Sequence, residues 1–536
     1  MTLDATGLEV MAHAFASVAE EMGLVLIRSA LSPNIRERRD CSAALFDAQG
    51  LMIAQAAHIP VHLGAMTESV AAIRRLVPQP GERFILNDPY AGGSHLPDVT
   101  IIEAVEIDGV VAGYSAVRAH HSDVGGREPG SMPAVSRMLD EEGIVIPPSR
   151  LTAELERRFL AGVRTPEIRR GDLAAQCAAA ARGGEGLRAL AVRYGAAALA
   201  DAARDVLAYT ARRTRAALER LPARNLSATD WLEGDGIDDR DIPITVRIDI
   251  AAGRFRADFA GTATQVRGNV NCPIAVTRSA VLFAVRTMLP EDLPTNAGVE
   301  QAIDVVAPVG CLVNARYPAA VAGGNVETSQ RIADTVMLAL AKGGLPVPAQ
   351  GQGTMNNITM GSVDHPPPSS ARDRPCPPWT YYETIGGGQG ASASGSGPSG
   401  VHVGMSNTWN TPIEVLEMGL PVRVSTYALR RGSGGRGEWP GGDGVVREYR
   451  ALEPMVVNVL GERRRHAPAG AAGGLPGAVG RTLVNGQPLP GKARVMLQAG
   501  DVLRVETPGG GGWGSDPGTR NADPGTQREH DHGGKQ

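Results

Sequence analysis

The chain has 536 residues, which is more than one hydrophobic core accommodates, so we expect two to four domains. Apolar residues make up 43% and charged residues 21%, the balance of a soluble globular protein, and a net charge of −4 without a basic run argues against nucleic-acid binding. The five cysteines are scattered and form no CxxC pair, which argues against a disulfide framework and a thiolate zinc site and fits a reducing cytosol.

The N-terminal segment combines one helix with short strands. Residues 4–30 place apolar side chains near the 3.6-residue period of an amphipathic helix. Residues 42–56 predict two strands joined by the turn AQG, and residues 67–77 predict a short helix after a threonine cap. The first residues lack the basic region and apolar core of a signal peptide, and no uncharged apolar run reaches about 18 residues, so we expect a cytoplasmic protein without a membrane span.

Asp40 stands at the entry to the first strand among several arginines. It is either a salt-bridged surface acid or a further carboxylate of an active site. His58 and His62 are four residues apart, but Pro60 between them argues against a shared helix face. This HxxxH pair therefore does not predict the zinc site of a metalloprotease.

The segment from residue 87 to 130 concentrates the residue types of a metal site. It holds two short packets, HLPD at 95–98 and HHSD at 120–123, separated by two apolar runs that meet at Asp108-Gly109. That dipeptide between β-rich runs predicts a hairpin, which brings its two outer ends together. The residues expected to converge are His95, Asp98, His120, His121 and Asp123.

Imidazole and carboxylate groups are the ligands of Zn²⁺, Mn²⁺ or Fe²⁺, so these packets predict a divalent metal site. Glycines beside both packets allow backbone and substrate to approach closely. The alternative is a hydrogen-bonded cluster of polar loops without a metal.

Residues 149–222 are rich in Ala, Arg, Glu and Leu and predict three helices, broken at Pro166 and at Gly183-Gly184. The arginines have the distribution of a solvated helix face. We expect this stretch to be a helical subdomain without chemistry of its own.

From residue 226 onward the apolar period changes to two, which predicts strands with a turn at Ala252-Gly253. Asn485-Gly486 and the stretch 499–501 predict further hairpins near the C-terminus. The Pro-rich stretch 365–378 predicts an exposed loop, and residues 517–536 lack core formers and are expected to be disordered.

Glu383, His402 and Asn407 lie in glycine-rich polar segments of this region. They either line a substrate pocket or supply the polarity of turns. The triple glycine at 386–388 is not followed by the lysine of a phosphate-binding loop, which argues against nucleotide binding by this chain.

Nine motifs in chain order resemble the hydantoinase B family. They are RRDCSAALFD, NDPYAGGSHLPDVT, AHHSDVGG, GNVNCP, GGNVETSQR, YYETIGGGQGA, SNTWNTPIEVLE, RRGSGGRG with GGDG, and TPGGGGWG. That family includes the B subunits of bacterial ATP-dependent N-methylhydantoinases and lactamases, the matching part of 5-oxoprolinase and the metal-carrying subunit of acetone carboxylase.

The resemblance implies a division of labour. An actin-like ATPase of the hydantoinase A type binds ATP and phosphorylates the substrate, and the B subunit carries a metal and completes the reaction. It implies His95, Asp98 and His120 as ligands of Zn, Mn or Fe, with Asp123 or Asp40 as a base.

These inferences together predict an α+β fold with several subdomains and mixed β-sheets. The expected regions are an N-terminal part with the metal hairpin (1–148), an inserted helical region (149–225), a β-rich region (226–516) and the tail (517–536). The favoured function is hydrolysis of a hydantoin or lactam within a hetero-oligomer, with His121, Glu383, His402 and Asn407 contacting the substrate. The alternatives are a subunit of an ATP-dependent ketone carboxylase and a non-catalytic scaffold for the A-type ATPase.

Overall fold

The computed structural model describes residues 3–363 and 378–516. The Pro-rich stretch predicted to be a loop, apart from its last residue, and the tail predicted to be disordered lie outside these residues. The described part contains four β-sheets and ten α-helices, which confirms the predicted α+β fold with several sheets.

A six-stranded sheet in the order β2-β1-β5-β4-β3-β6 forms the N-terminal part. Its strands are β1 (Cys41–Asp47), β2 (Met52–Ala57), β3 (Arg83–Leu86), β4 (Asp98–Ile107), β5 (Val110–His120) and β6 (Ser149–Arg150). The helices of this part and of the following helical region are α1 (Ala5–Ser29), α2 (Pro33–Arg36), α3 (Ala65–Arg74), α4 (Ala153–Ala161), α5 (Pro166–Tyr194) and α6 (Ala196–Glu219). Helix α1 lies on β1 and β2, α5 lies on β4 and β5, and the two helices pack against each other.

The helix α5 does not break at Gly183-Gly184, so that prediction was wrong. A Cβ atom on Gly183 would lie 2.5 Å from the sulfur of Met22, and one on Gly186 would lie 2.4 Å from Val18. The glycines therefore serve the close approach of α5 to α1 and do not end the helix. The break occurs instead at Gly195, where φ is +89°.

Helix α1 is long and apolar enough to cross a membrane by length and composition alone. In the structure its apolar side chains Phe15, Met22 and Leu26 are fully buried in the core that it shares with the sheet and with α5. That burial is the pattern of a core helix, because a span would turn these side chains to lipid.

The second region is built on the sheet β10-β9-β8-β7. Its strands are β7 (Arg224–Glu233), β8 (Asp241–Ala251), β9 (Arg254–Asp258) and β10 (Ile303–Val306), and its helices are α7 (Ile274–Arg286), α8 (Ala297–Glu300) and α9 (Ser329–Lys342). The predicted turn at Ala252-Gly253 joins β8 to β9. A π-helical turn, Gly324–Thr328, leads directly into α9.

Two further sheets make up the C-terminal region, in the orders β12-β11-β15-β18 and β13-β14-β19-β16-β17. Their strands are β11 (Asn357–Ser362), β12 (Thr380–Glu383), β13 (Val422–Arg430), β14 (Gly444–Ala451), β15 (Met455–Leu460), β16 (Arg481–Val484), β17 (Gln487–Leu489), β18 (Lys492–Leu497) and β19 (Val502–Glu506), with the short helix α10 (Ile413–Gly419). Asn485-Gly486 forms the predicted β16–β17 hairpin. The turn at 499–501 joins strands of different sheets, so the hairpin predicted there was wrong.

A buried network of ion pairs ties the second region to the third. Arg331 of α9 lies 3.2 Å from Asp230 of β7 and 3.4 Å from Glu462, and Arg463 lies 2.6 Å from Asp334. Removing one member would leave a buried charge without its partner, which typically costs about 3–5 kcal/mol. The network therefore fixes the relative position of two regions with separate apolar cores.

Candidate metal centre

The predicted hairpin forms and brings three polar side chains together. Asp98 at the start of β4 lies opposite His120 at the end of β5 in the antiparallel ladder, so both point to the same face of the sheet. His95, three residues before Asp98, completes the group. One nitrogen or oxygen from each side chain lies within 4.8 Å of those of the other two, and all three residues are buried.

Two histidines surround the Asp98 carboxylate. Its Oδ2 lies 3.4 Å from His95 Nε2 and 3.5 Å from His62 Nε2, and it accepts hydrogen bonds from Ser94 Oγ at 2.5 Å and Asn325 Nδ2 at 3.3 Å. Burial alone would raise the pKa of Asp98, but the attraction of the two histidines outweighs it and holds the pKa well below its usual value. Asp98 is therefore a stable buried anion.

Several buried polar atoms at this point have no hydrogen-bond partner among the residues that the structure describes. They are Asp98 Oδ1, His120 Nε2 and both ring nitrogens of His95. An unpartnered buried donor or acceptor costs about 1–3 kcal/mol, so four at one point call for an additional bound group. Two imidazoles and a carboxylate fit a divalent cation of the Zn, Mn or Fe type.

His62 is a fourth polar residue of the centre and was not among the predicted ligands. The turn Pro60–His62 is a 3₁₀-helix, which carries His62 into contact with Asp98, while Ser42 Oγ lies 3.0 Å from its Nδ1. The HxxxH spacing was the available signal. Pro60, which argued against a shared helix face, is the residue that starts this turn.

Asn34 and Arg38 connect the centre to the segment that precedes β1. Asn34 Nδ2 lies 2.7 Å from the backbone oxygen of His120 and 3.4 Å from Asp40 Oδ2. Arg38 donates to Asn34 Oδ1 at 2.5 Å and is completely buried. This contact fixes the amide orientation and therefore the donor that faces His120.

Asp40 is buried beside the cluster and interacts electrostatically with Asp98, His62 and His95. Of its two predicted roles, the surface acid is therefore wrong. Burial raises the pKa of Asp40, and the cation of Arg38 offsets this rise only in part.

Tyr382 closes the centre from the C-terminal region. Its ring stacks on His120 with the centroids 4.3 Å apart and the planes 7° from parallel. Its hydroxyl donates to Asn357 Oδ1 at 2.9 Å, and Asn357 Nδ2 donates to Glu327 Oε1 at 2.7 Å. Asn357, held by Glu327, thus orients the ring of Tyr382 that stacks on His120.

His121 and Asp123, which were expected to join the cluster, have other contacts. His121 follows His120 directly, so its ring points to the opposite face, where Nε2 lies 2.9 Å from Gln176 Oε1 on α5. Asp123 accepts hydrogen bonds from the backbone N–H groups of Gly125, Gly130 and Arg164 and pairs with the Arg164 guanidinium at 3.2 Å. These contacts organise a loop and leave no free carboxylate oxygen for catalysis.

The other three residues that were predicted to contact the substrate are Glu383, His402 and Asn407. Glu383 faces away from it and accepts from Tyr381 at 2.8 Å, with Arg447 at 3.3 Å. His402 lies 3.3 Å from Thr408 Oγ1, which Arg38 also contacts, and Asn407 is exposed and donates to the backbone of His58. Burial lowers the pKa of His402 to about 3, so this ring is neutral at pH 7.

The chain resembles known proteins over nearly its full length. The family described as hydantoinase B/oxoprolinase matches residues 4–516. The Arabidopsis thaliana protein named 5-oxoprolinase 1 is 36% identical over 550 residues, which are 96% of this chain but only 42% of that protein. A protein of Pseudomonas sp. strain NS671, named as the putative B subunit of a D-/L-hydantoinase, is 28% identical over 545 residues, 96% of this chain and 90% of that one.

A solved structure agrees with these matches. The ATP-dependent caprolactamase from Pseudomonas jessenii has a TM-score of 0.86 and 26% sequence identity, covering 96% of this chain and 92% of that chain. The order of the motifs, the family match and the shared architecture lead to one conclusion. The chain belongs to the hydantoinase B/oxoprolinase family.

Proposed function

We propose that this chain is the metal-carrying subunit of an ATP-dependent amidohydrolase that opens a cyclic amide such as a hydantoin or a lactam. The observation that carries the proposal is the buried cluster of His95, Asp98 and His120 with its unpartnered ligand atoms. The similarity to a caprolactamase supports a cyclic amide as substrate, since a lactam and a hydantoin share the ring amide bond.

His95, Asp98 and His120 would hold the cation. A divalent cation there would supply Lewis acidity, which lowers the pKa of water so that hydroxide is available near neutral pH to attack a carbonyl carbon. Asp40 would accept the proton, because its carboxylate is buried beside the cluster and burial raises its pKa towards the working pH. The contacts of Asp123 make it the weaker candidate for this base.

The surrounding side chains orient the ligands. Asn34 holds the backbone of His120, Tyr382 stacks on its ring, and Asn325 donates to Asp98. Such contacts to ligand side chains fix their geometry and typically change metal affinity about 10–100-fold when removed.

The partner in the proposal is an ATPase of the hydantoinase A type. An amide carbonyl is a poor electrophile, and phosphorylation of its oxygen makes it a good one. The chain spans about two fifths of the 5-oxoprolinase but nine tenths of the hydantoinase relative. The hydantoinase relative is named as a B subunit, which supports a separate partner subunit.

The test compares wild type with the double variant His95→Ala, His120→Ala and with the matched control His121→Ala. The control removes a buried histidine next to the cluster that faces α5 instead. We expect about one equivalent of Zn, Mn or Fe in wild type and in the control, and none in the double variant. With the A-type ATPase, ATP and a lactam, the double variant should lose ring opening.

The same assay separates the alternatives. If the complex turns over a ketone with bicarbonate and does not turn over a lactam, the chain is a subunit of a carboxylase and not of a hydrolase. Two results together would refute the proposed mechanism and favour a scaffold: wild type that binds no metal after reconstitution, and full ring opening by the double variant.

A further inference from the structure

Arg39 has an unusual backbone for an arginine. Its φ is +55°, in the left-handed region that favours glycine and costs other residues about 1 kcal/mol or more. It lies two residues beyond Glu37, the residue that caps α2. Glycine would adopt this conformation without the cost.

The side chain of Arg39 is aimed at the protein surface. Its guanidinium lies over the ring of Trp409, 3.5 Å from the centroid, and Trp409 is 56% exposed. Within residues 3–363 and 378–516, no carboxylate pairs with this guanidinium. Stacking covers one face of the planar group and leaves its N–H edge free for an anion.

Further recognition groups surround this pair. Asn410, next to Trp409, donates to the hydroxyl of Tyr427, which is 39% exposed on the edge strand β13. On the other side, Asn407 donates to the backbone of His58. We call Arg39, Trp409 and Tyr427, with Asn407 and Asn410, the Trp409 surface. Tryptophan, tyrosine and arginine are the residues that most often carry the binding energy of protein interfaces.

The Trp409 surface is connected to the metal centre by short contacts. The backbone N–H of Trp409 donates to the carbonyl of Arg38 at 2.9 Å. Arg38 holds Asn34, which contacts His120. Asp40 follows Arg39 directly. A partner seated on Trp409 would therefore touch the segment that bears the proposed base.

We propose that the Trp409 surface is the docking site for the partner ATPase, and that Arg39 receives a carboxylate of that protein. This inference rests on the proposed function, which requires an activated substrate to pass from the partner to a buried metal centre. The unpaired charge of Arg39 favours an acidic partner. A symmetric contact between two copies is disfavoured, because the Trp409 surface contains no carboxylate that could pair with Arg39 of the other copy.

The test measures the dissociation constant between this chain and the A-type ATPase of its own source. The variants are Arg39→Gly and Trp409→Ala. The matched control is Trp231→Ala, which removes another exposed tryptophan that stacks on a basic side chain, His466, in the second region. We expect both variants to bind about tenfold more weakly or worse, and the control to bind within about twofold of wild type.

Arg39→Gly also separates docking from folding. Glycine adopts φ +55° without strain, so the melting temperature should not fall, although binding weakens about tenfold or more. An independent readout is amide hydrogen exchange in the complex, which should slow at residues 404–410 and stay unchanged in β7.

Three results would overturn the inference. Wild-type affinity in both variants would place docking elsewhere and leave the proposed function intact. A dimer of the chain alone that Trp409→Ala dissociates would assign the surface to a second copy. Wild type that binds no A-type ATPase would refute the proposed function and this inference with it.

Discussion

Glu327 offers a quantitative test of the electrostatics next to the candidate metal centre. It lies on the π-helical turn beside Asn325 and is fully buried. Its Oε1 accepts from the backbone N–H of Met355 at 3.0 Å and from Asn357 Nδ2 at 2.7 Å. Burial, reinforced by the nearby carboxylate of Glu462, raises the pKa of Glu327 to about 8. The side chain is therefore neutral in the folded protein at pH 7.

The pH dependence follows from the difference between the folded and unfolded chain. An unperturbed glutamate ionises near pH 4.5, so between pH 4.5 and about 8 the unfolded chain has released a proton that the folded chain keeps. Stability from this group is complete below pH 4.5 and is lost as the pH rises, with a limiting slope of about 1.4 kcal/mol per pH unit. From pH 5 to pH 7 the loss is about 2–3 kcal/mol.

Glu327→Gln removes the ionisation and keeps the acceptor. The carboxamide oxygen of glutamine can accept the same two hydrogen bonds. The free energy of unfolding of the variant therefore lacks only the pH dependence that the ionisation of Glu327 causes. We expect the variant to gain about 2–3 kcal/mol relative to wild type between pH 5 and pH 7. The assay is guanidinium unfolding of both chains from pH 5 to pH 8 with a chelator, so that metal binding contributes nothing. A difference that stays constant with pH would refute a neutral Glu327.

Two further substitutions test the contacts around the centre. Tyr382→Leu removes the stacking on His120 and should weaken metal affinity about tenfold or more. The control is Tyr381→Leu, which should leave the affinity unchanged because the hydroxyl of Tyr381 contacts Glu383 instead. Metal titration of the apo chain measures both. Asp123→Asn breaks a buried ion pair and should cost about 2–4 kcal/mol of unfolding free energy with metal content retained; loss of ring opening without loss of stability would restore Asp123 as the base.

The β4–β5 hairpin, which carries Asp98 and His120, was readable from the sequence. Asp108 and Gly109 have φ values of +52° and +79°, as a tight turn between two strands requires, and the strands pair so that Asp98 meets His120. Local turn chemistry and strand register act over short sequence distances. The meeting of Asp98 with His120 therefore followed from residues near one another in the chain.

His121 shows where the sequence held a signal that was not used. Adjacent residues on a strand point to opposite faces, so His120 and His121 could not both face one metal. Which of the two faces the centre depends on where α5 packs, because that helix supplies Gln176 to the other ring.

Other features depended on contacts between distant segments. His62, Asn34, Asn325 and Tyr382 reach the cluster from four different elements, and no local pattern relates their positions. Gly183 had the appearance of a helix breaker, but its small size serves the packing of α5 against α1.

The sequence by itself determined the family, the α+β fold with several sheets and the hairpin, and the family resemblance implied its three candidate ligands. These depend on ordered motifs and on the periods of strand and helix, which are local properties. Only the tertiary structure decided which neighbours complete the centre, that Asp123 holds a loop and that Arg39 lies on the ring of Trp409. Each of these follows from packing between segments up to about 370 residues apart, where burial and the demand for hydrogen-bond partners, not local propensity, choose the contacts.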